Sequence, residues 1–393
     1  MKQKEPIWMT ILRILLAGVF LFSGFSKALD PIGFSYTIND MLASFGMDIL
    51  QPLSLLCAFV MIVVEFVLGV MMLFRIKIVL TSIGYLLFMG FFLVLTGWLF
   101  VAEYLEINYG YDFGVVKDCG CFGSVLKPNN METFLKNVAI MIPTLIIFFK
   151  RKSIPDIRLS TIKQWAIAGV GALCIFAFES YCYAHFPVID FSDWKKQSDL
   201  VTLLITQPAE KELNFIYQNT EDNSVMTIHV DDLADIADEI PDFYDKYEYV
   251  DRKDSIISPA IMPKISGFTM LDVSGADHAF KLINYQNEKP VYLLLMHDLS
   301  NVNKKGLQSE KLNAMVEKSK EGNFDLVAVT NSSQDDIALF VKENSIAFPV
   351  YSNPIDPVKG PFTVRDAIHS NPGLIIIEKG IVVDKYSWRD FPE

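Results

Sequence analysis

Two sulfurs separated by one residue give the sequence its most pointed chemistry. Asp118-Cys119-Gly120-Cys121-Phe122-Gly123 holds two of the five cysteines, with Cys57, Cys174 and Cys182 elsewhere and none after position 182. In an extended strand, positions i and i+2 lie about 6.6–6.8 Å apart, at or beyond the reach of a disulfide. A Cys119–Cys121 bond therefore needs a tight bend, which Gly120 allows because it lacks a Cβ. Such a small ring is strained and readily reduced, the property of an exchanging pair rather than a structural staple. Lys117 favours a thiolate there and Asp118 opposes it. A metal site would need two further ligands, and no histidine is near; two inert thiols are the other alternative. Cys182 is a candidate resolving thiol, while Cys57 and Cys174 read as packing residues.

The elements that must carry these sulfurs are membrane helices. Of the 393 residues 51% are hydrophobic, and the formal charge is −12. Residues 1–185 hold 14 Lys/Arg against 12 Asp/Glu, and residues 186–393 hold 20 against 34. A nearly neutral, apolar half is joined to an acidic, soluble one, which excludes a disordered chain and a nucleic-acid binder working through positive charge. About 20 apolar residues cross a bilayer. Ile7–Phe25, Leu50–Phe74, Ile78–Phe100, Asn137–Phe149 with its flanks, and Ile162–Tyr183 meet that need. The fourth is shortened by Lys136 and Pro143; it is read as spanning, with a re-entrant segment as the alternative. The first runs into Ser26-Lys27-Ala28 without a clean cleavage site and is read as retained. A cytoplasmic N-terminus places nine Lys/Arg inside, from Lys2 to Lys163, against Lys27, Lys117, Lys127 and Lys136 outside, so the positive-inside rule favours it. The CGC loop and everything beyond about residue 185 then face the extracytoplasmic side of an inner membrane.

Charges at membrane depth need partners. Counted from the inner helix ends, Arg13 and Glu65 reach similar depth and are expected to pair. All five histidines (185, 229, 278, 297 and 369) lie beyond the fifth helix, so haem or di-iron chemistry within the bundle is not expected, and no cofactor is assigned.

Leu12-Arg13, Gly18, Phe20, Ser23-Gly24, Ser26-Lys27 and Asp30-Pro31 together resemble the opening of DoxX-like membrane proteins. The Cys119-Gly120-Cys121-Phe122-Gly123 loop is similar to that of their MauE branch, linked to methylamine utilisation. The resemblance spans roughly residues 7–150 and implies a four-helix module with redox work on thiols outside the membrane. From Lys289 the order strand, helix, strand, helix, strand, strand resembles a TlpA-like thioredoxin: Val291–Met296, Lys304–Glu317, Asp325–Thr330, Asp335–Glu343, Phe348–Tyr351, then a hairpin of Leu374–Ile377 and Ile381–Tyr386 turned at Lys379-Gly380. Pro372 stands where that family has its cis-proline. The family's Cys-x-x-Cys position is Ser300-Asn301-Val302-Asn303, and a hydroxyl and an amide cannot cycle electrons.

The expected organisation is a multi-pass helical membrane module over 1–150, a loop and fifth helix over 151–185, an acidic α+β segment over 186–262, and a thioredoxin-like domain without Cys-x-x-Cys over 263–393. In the middle segment Phe215–Tyr217 and Val225–Val230 read as a hairpin and Asp231–Asp245 as an acidic helix or turn. Two functions compete. One is extracytoplasmic thiol–disulfide exchange through Cys119 and Cys121 with protein thiols, a separate thioredoxin or a quinone as redox partner. The other is a non-enzymatic anchor that displays a redox-inactive domain for protein binding.

Overall fold

The computed structural model describes residues 5–111, 113, 129–205, 210–258, 263–355 and 362–392. Among the described residues five helices are long and apolar enough to cross a membrane: α1 (Ile7–Ala28), α3 (Ser54–Phe74), α4 (Ile78–Tyr109), α5 (Asn130–Lys150) and α6 (Thr161–Ala184). An additional helix, α2 (Pro31–Ser44), follows α1 directly. Asp30 starts α2: its side chain accepts the Gly33 N–H, and Pro31 occupies the first helical position, where its missing N–H costs nothing. Fourth in the series, α5 is one continuous helix with Pro143 inside it, opened by a capping box of Asn129 and Glu132.

Helices α1 and α3 approach closely because glycines meet larger residues. A Cβ on Gly24 would lie 3.1 Å from Phe66, and one on Gly69 would lie 2.9 Å from Leu21. That register sets the polar chemistry of the bundle. Glu65 falls close to the level of Lys27, and Lys27 Nζ donates to Glu65 Oε2 at 2.6 Å and to Ser23 Oγ at 2.8 Å. Arg13 falls at the far end of α3, donating to the Met72 and Leu73 carbonyls at 2.7 Å and to Glu5 Oε1 at 3.0 Å. The expected Arg13–Glu65 pair is therefore not formed. Counting depth from helix ends missed the offset that the glycine contacts impose.

Beyond α6 lie two sheets. β1 (Glu210–Asn219), β2 (Val225–His229) and β3 (Tyr247–Ser258) form an antiparallel sheet of order β2-β1-β3. Tyr217, Ile228 and Phe243 bury its small core. The larger sheet comprises β4 (Val291–Leu295), β5 (Asp325–Thr330), β6 (Val350–Ser352), β7 (Gly373–Glu378) and β8 (Ile381–Ser387), in the order β6-β5-β4-β7-β8. β4 runs parallel to β5 and antiparallel to β7. Apolar residues fill both of its faces, with Leu293, Leu295, Val327 and Val329 in one core and Leu294, Met296, Leu326 and Ala328 in the other. This two-sided burial follows from period-2 alternation in continuous apolar strands. Helices Glu310–Lys320 and Gln334–Asn344 follow β4 and β5, and the Asn371–Pro372 peptide before β7 is cis. Lys379 and Gly380, both at positive φ, turn the β7–β8 hairpin. The domain is thioredoxin-like.

Candidate functional site

The C-terminal ends of α1 and α6 share one face of the bundle, and the thioredoxin-like domain seats its cis-proline edge on that face. A cavity of about 690 Å³ lies between them, lined by Asp30, Cys182, His185, His369, Asn371 and Lys385 among others. Around it the domains are latched by polar contacts. His369 Nδ1 lies 2.8 Å from Asp30 Oδ1, His297 Nε2 lies 3.2 Å from the Tyr36 hydroxyl, and Arg365 Nη2 donates to Asp40 Oδ2 at 3.2 Å. The Tyr36 ring meets both imidazoles edge-on, its centroid 5.4 Å from that of His369 and 6.0 Å from that of His297. The Arg365 guanidinium sits 5.1 Å from the same ring. Arg389 donates to the Ala184 carbonyl at 3.0 Å, fixing the end of α6.

Burial and charge act together here. Burial pushes Asp30 up, but the facing His369 and the Gly33 N–H outweigh it and hold the carboxyl below the usual range. Burial raises the Tyr36 phenol to about 12. His297 is lowered to about 4, by burial first and by repulsion from His369 second. The signs agree. An exposed histidine binds a proton near pH 6.5, so release of His297 from the interface takes up a proton between about pH 6.5 and about 4. Stability of docking is therefore full above that window and falls as pH drops through it; loss of the Asp30 charge adds in the same direction. Acidification from pH 7 to 5 should shift the docking equilibrium on the order of tenfold toward release. Hydrogen exchange of α2, corrected for the intrinsic pH dependence, reads this directly; unchanged protection at pH 5 would refute it.

The place of the thioredoxin thiols is occupied by a turn at Leu299–Asn301 and by Asn303, which caps the next short helix by accepting from Lys305 N at 3.0 Å. The Asn303 N–H donates to the Asn371 carbonyl at 2.9 Å, just before the cis bond of Pro372. Gly306 packs on Pro372, where an added Cβ would lie 3.1 Å away. No sulfur stands there, as the sequence indicated.

Of the expected site residues, Cys119 and Cys121 lie outside the described residues, as do Lys117 and Asp118. The described helices on either side in the chain end at Tyr109 and begin at Asn130. Cys182 is buried and borders the cavity, whereas Cys57 is half-buried and Cys174 exposed on the bundle surface. Pro372 is joined by its cis bond to Asn371, which lines the cavity. Lys27, Asp30, Tyr36, His297, His369 and Lys385 went unassigned in the sequence. The Asp30-Pro31 pair is a helix-start signal that could have found α2; nothing local joins Asp30 to a histidine 339 residues away. Among the described residues no group of three or more His, Cys, Asp or Glu side chains is placed to hold a metal ion.

Residues 5–150 match the family described as methylamine utilisation protein MauE. No curated protein matches the chain. Two solved structures from Bacteroides thetaiotaomicron are similar to the C-terminal part. One is the C-terminal domain of a protein described as a thiol-disulfide oxidoreductase, at 10% identity and a TM-score of 0.24, covering 30% of this chain and 80% of that one. The other, a solution structure described as a protein disulfide isomerase, has 15% identity, a TM-score of 0.24, and coverage of 32% and 76%. Residues 5–150 are thus MauE-like, and the chain continues into a domain whose strand order is thioredoxin-like.

Proposed function

We propose that this protein performs thiol–disulfide exchange on the extracytoplasmic side of an inner membrane, with its N-terminus in the cytoplasm. Cys119 and Cys121 are the exchanging pair, and Cys182 resolves the mixed disulfide. The carrying observation is that Cys182, from the fifth membrane helix beyond the MauE-like module, borders the same cavity as Asn371 at the cis-proline edge of the thioredoxin-like domain. In this reading the domain supplies the platform on which an extended partner lies, and the bundle supplies the sulfur that the platform lacks. Partners are extracytoplasmic protein thiols or a separate thioredoxin. Asn303 at the usual thiol position favours a second reading, in which the bundle merely anchors a redox-inactive binding domain.

Mass-tag alkylation of thiols in intact membranes separates the two. Exchange requires Cys119 and Cys121 to shift together on reduction, and Cys121→Ser to accumulate mixed disulfides with other proteins. Permanently reduced thiols, with full function in the Cys119→Ser/Cys121→Ser protein, would leave the anchor.

A further inference from the structure

Thiol exchange needs a place for protons as well as sulfurs. The attacking thiol must lose one, and the departing sulfur is a better leaving group when it can gain one. The buried stripe of α6 runs through Ile175, Glu179 and Cys182, bringing Cys182 to the cavity at the corner where α1 turns into α2. At that corner Asp30 lies within electrostatic reach of Cys182 and is 2.8 Å from His369 Nδ1. The two partners differ in openness. The Asp30 side chain is 9% exposed and that of His369 27%, and both line the cavity. A carboxylate on Nδ1 fixes the orientation of the ring and leaves Nε2 for exchange, the arrangement that activates nucleophiles elsewhere.

We propose that His369 is the proton-transfer residue for Cys182, with Asp30 as its positioning residue. The inference rests on the reading that Cys182 exchanges. As Cys182 Sγ attacks a disulfide presented in the cavity, its proton passes to His369 Nε2. A bond forms between Sγ and the near sulfur, and the bond between the two sulfurs of the incoming disulfide breaks. The far sulfur departs with the electron pair and takes the proton from the imidazolium. One disulfide is consumed and one formed, so no further oxidant is required.

The test uses the full chain in membranes with Cys57, Cys119, Cys121 and Cys174 changed to Ser, and oxidised glutathione as the probe. The rate of glutathione addition to Cys182 is followed by mass. His369→Gln should slow it about 100-fold, the lower range for general acid–base catalysis, and should remove one inflection from its pH profile. Added imidazole should restore the rate in His369→Gly. Lys320→Gln, which breaks the exposed Lys320–Glu317 pair outside the cavity lining, should change it less than twofold. The inflection is assigned against Asp30, Tyr36 and His297, which face His369, and against Arg365 and Lys385, which act on His297 and Asp30. An unaltered rate in His369→Gln overturns the proposal, and so does equal slowing in Lys320→Gln or a failure of imidazole to rescue His369→Gly. If Cys182→Ser leaves exchange intact in the otherwise unaltered chain, the reading of Cys182 itself falls and takes the relay with it. Loss of exchange in Cys182→Ser with no effect of His369→Gln sinks the relay alone.

Discussion

Glu65→Ala should destabilise the membrane module by about 3–5 kcal/mol, the usual cost of leaving one member of a buried ion pair unpartnered. Lys27 and Glu65 have side-chain exposures of 2% and 6%, and their contact is 2.6 Å. Ser23 Oγ is the second acceptor for the ammonium, and the Phe34 ring lies 5.5 Å from it. Neither carries the full negative charge needed at that depth. Lys27→Ala should cost a similar amount by stranding the carboxylate. The double variant Lys27→Met/Glu65→Leu removes both charges while keeping volume and should return to within about 1 kcal/mol of the parent. Thermal unfolding in detergent would read all three. Equal melting of parent and Glu65→Ala would show that the pair contributes nothing. Exchanging Arg13 and Glu65 should rescue nothing, because Arg13 is committed to Glu5 and to the last carbonyls of α3.

That contrast marks where the sequence was readable. A continuous apolar strand admits few registers, so Asp325–Thr330 was read to the residue, and the Lys379-Gly380 turn was fixed by the positive φ its hairpin demands. Five spans were legible because length and apolarity alone identify them. Depth within a bundle is different in kind: it depends on which residues touch, and Gly24 on Phe66 moved Glu65 away from Arg13 and toward Lys27. Lys27 had been placed in a loop because the apolar run fades at Phe25, yet α1 continues to Ala28. β3 was missed for another reason. Tyr247–Ser258 is crowded with charge, as suits an edge strand that must resist pairing with other chains, and its alternation is correspondingly weak. The site was least legible of all. Asp30, Cys182 and His369 carry no common motif, and only the docking of two domains assembles them.

Asp190→Ala should lower the stability of the thioredoxin-like domain by about 3 kcal/mol at neutral pH, again by stranding a buried charge. Lys385, on β8, has a side chain only 1% exposed; its Nζ donates to Asp190 Oδ2 at 2.6 Å, Ser192 Oγ at 3.0 Å and the Ala367 carbonyl at 2.9 Å. These bonds tie the segment that leaves α6 to the sheet beneath the cavity. Burial lowers the Lys385 ammonium below its ordinary value even with Asp190 opposing it, and removing Asp190 lowers it further. The sign of the pH dependence follows. With the folded form binding its proton less tightly than the unfolded one, stability rises with pH in the alkaline range. The Asp190→Ala penalty should thus be largest near neutrality and shrink as pH rises, because the stranded ammonium can shed its proton. Asp190→Ala/Lys385→Met should show neither the penalty nor its pH dependence. Chemical denaturation of the full chain across pH 7–10 tests this, and a penalty that grows with pH would be incompatible with a charge stranded at Lys385. The same substitution reaches the site, since Lys385 also acts electrostatically on Asp30. With the ammonium partly discharged, Asp30 loses one of the charges that hold it ionised, and its grip on His369 weakens. Asp190→Ala is therefore expected to slow glutathione addition at Cys182, and to slow it more as pH rises.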